Sequence, residues 1–596
     1  MLNDKEFEAA ADAMLRLPQI YSYTVSAVDA IVCADTDGKR DLYEIRQGGK
    51  QLFPLFDSRE NRVAPTYVAN ERWLLFFQDF EGDECFDMHV AWKEEGVWKE
   101  RNLTPDTSFS IIPASTFSND GKMAAFVSDE AGGFDTFIME ARNGRRRRLT
   151  NSGCDVYAAI SPDGAYTAIV KQSTEETEIE IVRTTDGRRV FRVEDGGKAI
   201  DASDPFWFED SRRFAFVSGL SGYSTVGIAD VQQGKVSWLR NGGKDCYSPV
   251  VSRDGGSAAW VTCKDADIKM VCESLKTGIR AEYGETGAGS VRDIQFSRDG
   301  SILYFLFEGP SFPTGLFRLH RPLRSLHQVA SAGGSTPQLA FVEGKEIRYK
   351  SADGREIPAV LYAPADRSGV GVVYIHGGPT AAYMNCWDPT VQLLCAKGVT
   401  VIAPNYRGST CYGKEFRDAN RYVMGRRDME DCAAAAEYLI SNRLADAQRI
   451  GVTGASFGGY LTMCCLAFRN DLWKCGSAVV PFMNWFTEIE SERADLRTWD
   501  LSHMGDPQKD AARLKDASPY FFLERIKAPV QIIAGEHDPR CPKSESEAAA
   551  ARLKELGKEV EYLCYSGEGH SFRNVENRYD ADKRCLHFLL HHLLAD

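Results

Sequence analysis

The sequence predicts two domains of different architecture: a β-propeller of about seven blades, then an α/β domain built on a parallel sheet covered on both faces. Three observations predict it. A turn motif recurs about every 45 residues through the first half, the period of a propeller blade. Beyond residue 340, short apolar strands alternate with helices. Within that second half, Gly454-Ala455-Ser456-Phe457-Gly458 joins an apolar strand to an apolar helix, which makes the domain an α/β-hydrolase.

The chain has 596 residues, enough for two to four domains. Hydrophobic residues make up 43% and charged residues 26%, which excludes disorder, collagen and coiled coil as the main architecture. The net charge of -14 argues against binding nucleic acid through phosphates or lying on an anionic membrane. No apolar run approaches the roughly 18 residues that cross a bilayer. Residues 1–20 open with Phe7, Ala10, Ala11, Met14 and Leu15 at helical spacing, interrupted by Asp4, Glu6, Glu8 and Asp12 and stopped by Pro18. This is an amphipathic helix rather than a signal peptide. Sixteen scattered cysteines, with Cys464 and Cys465 adjacent and no C-x-x-C pair, read as reduced core residues of a cytoplasmic protein.

Residues 21–340 carry the repeat. Ser118-Asn-Asp120-Gly121, Ser161-Pro-Asp163-Gly164, Ser252-Arg-Asp254-Gly255 and Ser297-Arg-Asp299-Gly300 are the clear copies, and Phe208-Glu-Asp210-Ser211 is a degenerate one. Weaker copies lie near Asp29 and Asn70, giving about seven units. Each Asp-Gly is a tight turn, since Gly accepts positive φ and Asp bonds its own backbone. Each is followed by a β-rich run such as MAAFVSD or RFAFVSG. Four short strands per 45 residues make one propeller blade. The repeated aspartates are therefore turn formers, and the basic run Arg145–Arg148 is a solvated strand edge.

Residues 341–596 change pattern. RYKSADGREIPAVLYAP (348–364) reads as a hairpin, then strands fall at 370–375, 399–404, 449–453, 475–480, 530–534 and 559–565. Helices cover 428–442 and 544–556. In such sheets chemistry gathers at the carboxyl ends of the strands.

There, Ser456 is the candidate nucleophile at a strained strand-to-helix turn. A serine needs a base and a group that orients the base, in the chain order Ser, Asp or Glu, His for this fold. Six histidines follow Ser456. His587, His591 and His592 sit in a C-terminal helix and His503 in a polar loop; of the remaining His537 and His570, the candidate base is His570, in Ser-Gly-Glu-Gly-His-Ser-Phe just after a strand. Asp538, in Gly-Glu-His-Asp-Pro-Arg after another strand, is the orienting carboxylate, with Glu536 and His537 as near competitors. After the strand 370–375, the glycines of His376-Gly377-Gly378-Pro379 let a backbone N–H face a developing oxyanion, and the Phe457 amide is the second donor. His376 itself is a structural residue.

Six motifs together, HGGPT (376–380), NYRGSTCYG (405–413), RRDMEDCAAAAEYL (426–439), GASFGGY (454–460), GEHDPRCP (535–542) and GEGHSF (567–572), resemble those of the prolyl oligopeptidase family of serine peptidases, most closely its acylaminoacyl-peptidase and dipeptidyl-peptidase-like branch. The resemblance spans nearly the whole chain. It implies a propeller that admits short peptides and excludes folded proteins, an initial helix packed on the hydrolase domain, and Gly378 as the first oxyanion donor. HGGP stands where prolyl oligopeptidases proper use a tyrosine hydroxyl, which argues against strict prolyl specificity. It further implies a P1 pocket in the stretch after strand 475–480, where Phe482, Trp485, Leu496 and Trp499 stand, and aromatic walls imply a hydrophobic P1 residue. No paired acidic residues for a free amino terminus are identified; Glu209-Asp210 falls at a blade turn. An acyl-blocked or internal peptide is favoured, with a dipeptidyl aminopeptidase or a carboxylesterase using the same residues as alternatives, and a catalytically silent peptide-binding scaffold as the non-enzymatic one. No metal or cofactor is expected, and homo-oligomers through edge-strand pairing stay open. Gly408 to Glu415 nearly matches a phosphate-binding loop, but Glu415 replaces the hydroxyl that would hold Mg²⁺ and would repel phosphate.

Overall fold

The computed structural model describes residues 1–595 apart from 28, 37, 47–50, 58–60, 69–71, 81, 106–108 and 173–175, and it describes 494 and 495 by backbone alone. The first element is the helix Asp4–Leu15. Asn3 caps it: its side chain accepts from the Glu6 amide, and the Glu6 carboxylate accepts from the Asn3 amide, each at 3.0 Å. Its buried face, Phe7, Ala10, Ala11, Met14 and Leu15, joins an apolar cluster with Leu393, Leu586 and Leu589 of the C-terminal half.

Residues 20–331 form seven four-stranded antiparallel blades among the described residues. The first runs from Ile20–Val25 to Leu52–Pro54 and the seventh from Ser290–Phe296 to Ser325–Ser331. The repeated Ser-x-Asp-Gly turns join the first and second strands of blades three, four, six and seven. In each, the serine hydroxyl donates to the aspartate two residues on, at 2.6–2.8 Å. The glycine amide closes the turn onto the serine carbonyl. The degenerate copy makes the same turn in blade five, with Ser211 at φ 53° where the other copies have glycine. The copy at Asn70 lies outside the described residues. Arg146–Arg148 is the outermost strand of blade three, where Arg146 meets Glu130 and Arg148 meets Asp135.

Each blade is contiguous in sequence, so the ring closes between blades seven and one by packing. Ile20 and Tyr23 meet Leu306 and Leu316, and the Tyr23 hydroxyl donates to the Asp293 carbonyl at 2.6 Å.

The C-terminal half is one eight-stranded sheet. Its order is Lys345–Lys350, Glu356–Tyr362, Thr400–Pro404, Gly371–Ile375, Ile450–Ala455, Cys475–Val479, Val530–Gly535, Val560–Tyr565. The first two pairings are antiparallel and the other five parallel. Strand Gly371–Ile375 shows why these strands read as unbroken apolar runs: Val373 and Ile375 enter one core and Val372 the other. Helices Arg427–Ser441, Phe457–Phe468 and Lys543–Glu555 cover the first face, and Pro389–Ala396 and Val575–Leu594 the second. Among the described residues no helix is long and apolar enough to cross a membrane.

One expectation needs correcting. Cys263 in blade six and Cys411 in the NYRGSTCYG loop form a disulfide, while the other fourteen cysteines are free. The pair joins the two halves across 148 residues, so no spacing motif announces it. The same seam carries Asp245 accepting from the Gly413 amide at 2.8 Å and Arg417 on Asp201 at 2.8 Å.

Candidate active site

Ser456 stands between strand Ile450–Ala455 and helix Phe457–Phe468 with φ 59° and ψ -125°. A non-glycine residue there stores strain of about 1–3 kcal/mol. The turn is held because the Ser456 amide donates to the Val479 carbonyl at 2.9 Å and the chain is pressed on both sides. A Cβ on Gly458 would lie 2.2 Å from the Ile375 carbonyl oxygen, which is why glycine stands there. The strained turn lifts the hydroxyl above the sheet at the carboxyl ends of its strands.

His570 and Asp538 arrive from two neighbouring strand ends. The Ser456 hydroxyl and His570 Nε2 are 2.8 Å apart, and His570 Nδ1 lies 2.8 and 3.0 Å from the Asp538 oxygens. Asp538 also accepts from the amides of Arg540 and Cys541, each at 2.9 Å. A carboxylate only accepts, so Nδ1 carries the ring proton and Nε2 is left to take the serine's. Glu536 instead accepts from Ser566 and Lys543, away from this chain of hydrogen bonds. The His570 loop is pinned by buried Glu568, which accepts from the Arg573 and Asn574 amides and the Asn577 side chain. Burial pushes the Glu568 carboxyl up from its ordinary range.

The Phe457 amide opens its helix, where it has no partner within the helix, and it lies next to Ser456 in the chain. Gly378, at φ 127°, lines the same cavity as Ser456. The turn carrying it is held by His376, whose Nε2 meets the Ser409 hydroxyl at 2.9 Å and whose ring stacks on Tyr406 at 4.4 Å. Arg407, two-pronged on Asp431 and paired with Asp353, fixes that loop to helix Arg427–Ser441. The NYRGS and RRDMED motifs thus support the turn.

Burial lowers His376 to about 4, from an ordinary value of 6.5. Between those values the unfolded chain binds more protons, so stability rises with pH across this window. It is fully present above 6.5 and falls by about 3 kcal/mol as pH drops to 4. Thermal denaturation over pH 4–7 checks this: the Tm difference between wild type and His376→Gln is expected to narrow as pH falls.

Phe482, Trp485, Leu496 and Trp499 all line a cavity of about 260 Å³ that includes Ser456, Gly378 and Phe457. Phe482 stacks on Tyr460 at 4.3 Å, and Trp485 donates to the Tyr460 hydroxyl at 2.9 Å. Glu209 and Asp210 are elsewhere, at a blade-five turn. There Glu209 accepts from Asn119 and Asp210 from Arg213.

The propeller touches this site through contacts that no local sequence pattern marks. Glu84 of blade two bridges Arg540 at 3.0 Å and Arg493 at 3.1 Å. Asp79 pairs with Arg573. Gly569, next to His570, lies so close to Gly82 that a Cβ would sit 2.0 Å from the Gly82 oxygen. Only the glycine at 569 carried a sequence signal, and it named no partner.

Residues 387–596 match the prolyl oligopeptidase family. The C-terminal part of the chain is a prolyl oligopeptidase family domain. Among its relatives, dipeptidyl aminopeptidase BIII of Pseudoxanthomonas mexicana is 24% identical over 537 residues, covering 85% of this chain and 76% of the relative. The human acylamino-acid-releasing enzyme is 24% identical over 404 residues, covering 65% of this chain and 50% of its own. The chain thus spans three quarters of one relative and half of the other. A Mycobacterium tuberculosis puromycin-hydrolyzing peptidase shares the fold with a TM-score of 0.86 at 20% identity, over 98% of this chain and 96% of its own. Pyrococcus horikoshii acylaminoacyl peptidase does so with a TM-score of 0.74 at 17% identity, over 98% and 97%. Like these structures, the chain carries a propeller before its α/β-hydrolase domain.

Proposed function

We propose that this protein cleaves short peptides through an acyl-enzyme on Ser456 and releases an N-acylated residue from the blocked end. The observation that carries the reading is the unbroken hydrogen-bonded chain from Ser456 through His570 to Asp538 at the wall of a cavity. Ser456 Oγ attacks the peptide carbonyl as Nε2 takes its proton, and Asp538 stabilises the imidazolium. The Phe457 and Gly378 amides hold the oxyanion, each donor worth about 10²–10³ in kcat. The imidazolium then protonates the leaving amine, and water repeats the sequence in reverse roles to free the acid. Propeller contacts beside His570 support a restricted approach suited to short chains.

A second reading, release of dipeptides from a free amino terminus, is favoured by similarity to a dipeptidyl aminopeptidase over 85% of this chain. One peptide offered with a free or an acetylated terminus separates the two by mass spectrometry, with Ser456→Ala as the blank. The first reading expects an acetyl-amino acid from the blocked peptide alone. A dipeptide from the free one would replace it with the second.

A further inference from the structure

The cavity beside Ser456 is not wholly apolar. Along with its aromatic walls it is lined by Glu488 and Glu492, from the helix Trp485–Ser491 and its C-terminal end, and by Asp500 of the helix Ala494–Met504. All three are more than nine-tenths buried. Glu488, 5% exposed, has among the described residues no hydrogen-bond partner at Oε2, and its other oxygen meets the Cys541 thiol at 3.8 Å. Burial and then the neighbouring carboxylates Glu545, Asp500, Glu492 and Asp538 push Glu488 well above its ordinary range, and burial raises Asp500 to about 7. Glu545 is different, since it accepts from the Met483 and Asn484 amides and from Thr487.

A buried carboxylate left without a donor is costly, and such groups are found paired or in sites that receive a partner. Among the described residues the cation lining the cavity is Arg540, which directs Nε to Glu84 of the propeller, and Glu84 also takes Arg493. Among the described residues no cluster of His, Cys, Asp or Glu is disposed to hold a metal ion. What is missing is an organic cation delivered on an apolar stem: aromatic walls suit methylenes, and the carboxylates suit the charged head.

We propose that this cavity is the S1 subsite and that Glu488, backed by Glu492 and Asp500, receives the ammonium or guanidinium of a lysine or arginine at P1. This rests on the reading of Ser456 as nucleophile. Aromatic residues alone point to an apolar P1; the carboxylates between them change the class of side chain selected.

The test uses four 4-nitroanilides: acetyl-Lys, acetyl-Met, Ala-Lys and Ala-Met. Met matches the length of the lysine stem without its charge, and the two termini make the result independent of the blocked-or-free question. The expected result is kcat/KM at least tenfold higher for Lys than for Met in whichever form is cut. Glu488→Gln is expected to lower the Lys-to-Met ratio about 100-fold, the size of effect seen when one partner of a buried charge pair is removed. Should that variant fold poorly, n-butylamine against the wild-type enzyme gives the same answer, as a competitive inhibitor of Met-anilide hydrolysis where n-butanol is not. Met cut as well as or better than Lys would overturn the proposal, as would an unchanged ratio in Glu488→Gln. If no anilide is cut and Ser456 resists a fluorophosphonate, the nucleophile assignment falls first, and this one with it.

Discussion

Ser456→Ala is expected to lower kcat for peptide hydrolysis by about 10⁶-fold, with the folded state retained. The magnitude follows from what the hydroxyl does: without it there is no acyl-enzyme, and the remaining oxyanion donors and substrate positioning act only on direct attack by water. The substitution removes one oxygen from a turn whose geometry is set by the backbone bond to Val479 and by the glycines around it. Tm is therefore expected to move by less than the turnover suggests. Stopped and steady-state assays on purified protein, with thermal denaturation alongside, check both statements. A variant that keeps more than a hundredth of wild-type turnover would place the nucleophile elsewhere.

Asp538→Asn is expected to lower kcat by about 10⁴-fold with little change in KM. The reason lies in how Asp538 is held. One oxygen accepts from the Arg540 and Cys541 amides, each at 2.9 Å, so an asparagine must place its carbonyl oxygen there. Its NH₂ then occupies the other position, 2.8 Å from His570 Nδ1. A donor facing Nδ1 forces the ring proton to Nε2, which can no longer accept from Ser456. The variant should bind peptide and fail to activate its nucleophile, and a steady-state kcat and KM separation reads this directly. Equal losses in affinity would mean that Asp538 shapes the pocket instead.

What the sequence made legible was local. Strand, turn and glycine patterns within a few residues indicated the blades, the alternating sheet and the elbow at Ser456, because each is determined by neighbours in the chain. Asp538 and His570 were legible for a related reason: both follow strands directly, and a parallel sheet brings strand ends together. Contacts between the halves were not. Cys263 with Cys411, and Glu84 with Arg540 and Arg493, join residues 148 to over 400 positions apart and leave no spacing to read. The helices Trp485–Ser491, Ala494–Met504 and Ala511–Ala517 were missed because they are short and polar in composition. That polarity also hid Glu488. A glutamate among Thr487 and Glu490 reads as a solvated face, and only tertiary packing turns it inward beside Ser456.

The mechanism depends on one reactive serine in the folded protein. Fluorophosphonate labelling of the native chain, followed by peptide mass mapping, tests it most directly. It predicts one adduct per chain, at Ser456, lost when the protein is unfolded before labelling. An unlabelled Ser456 in protein that is demonstrably folded, or an adduct on another serine, would contradict it.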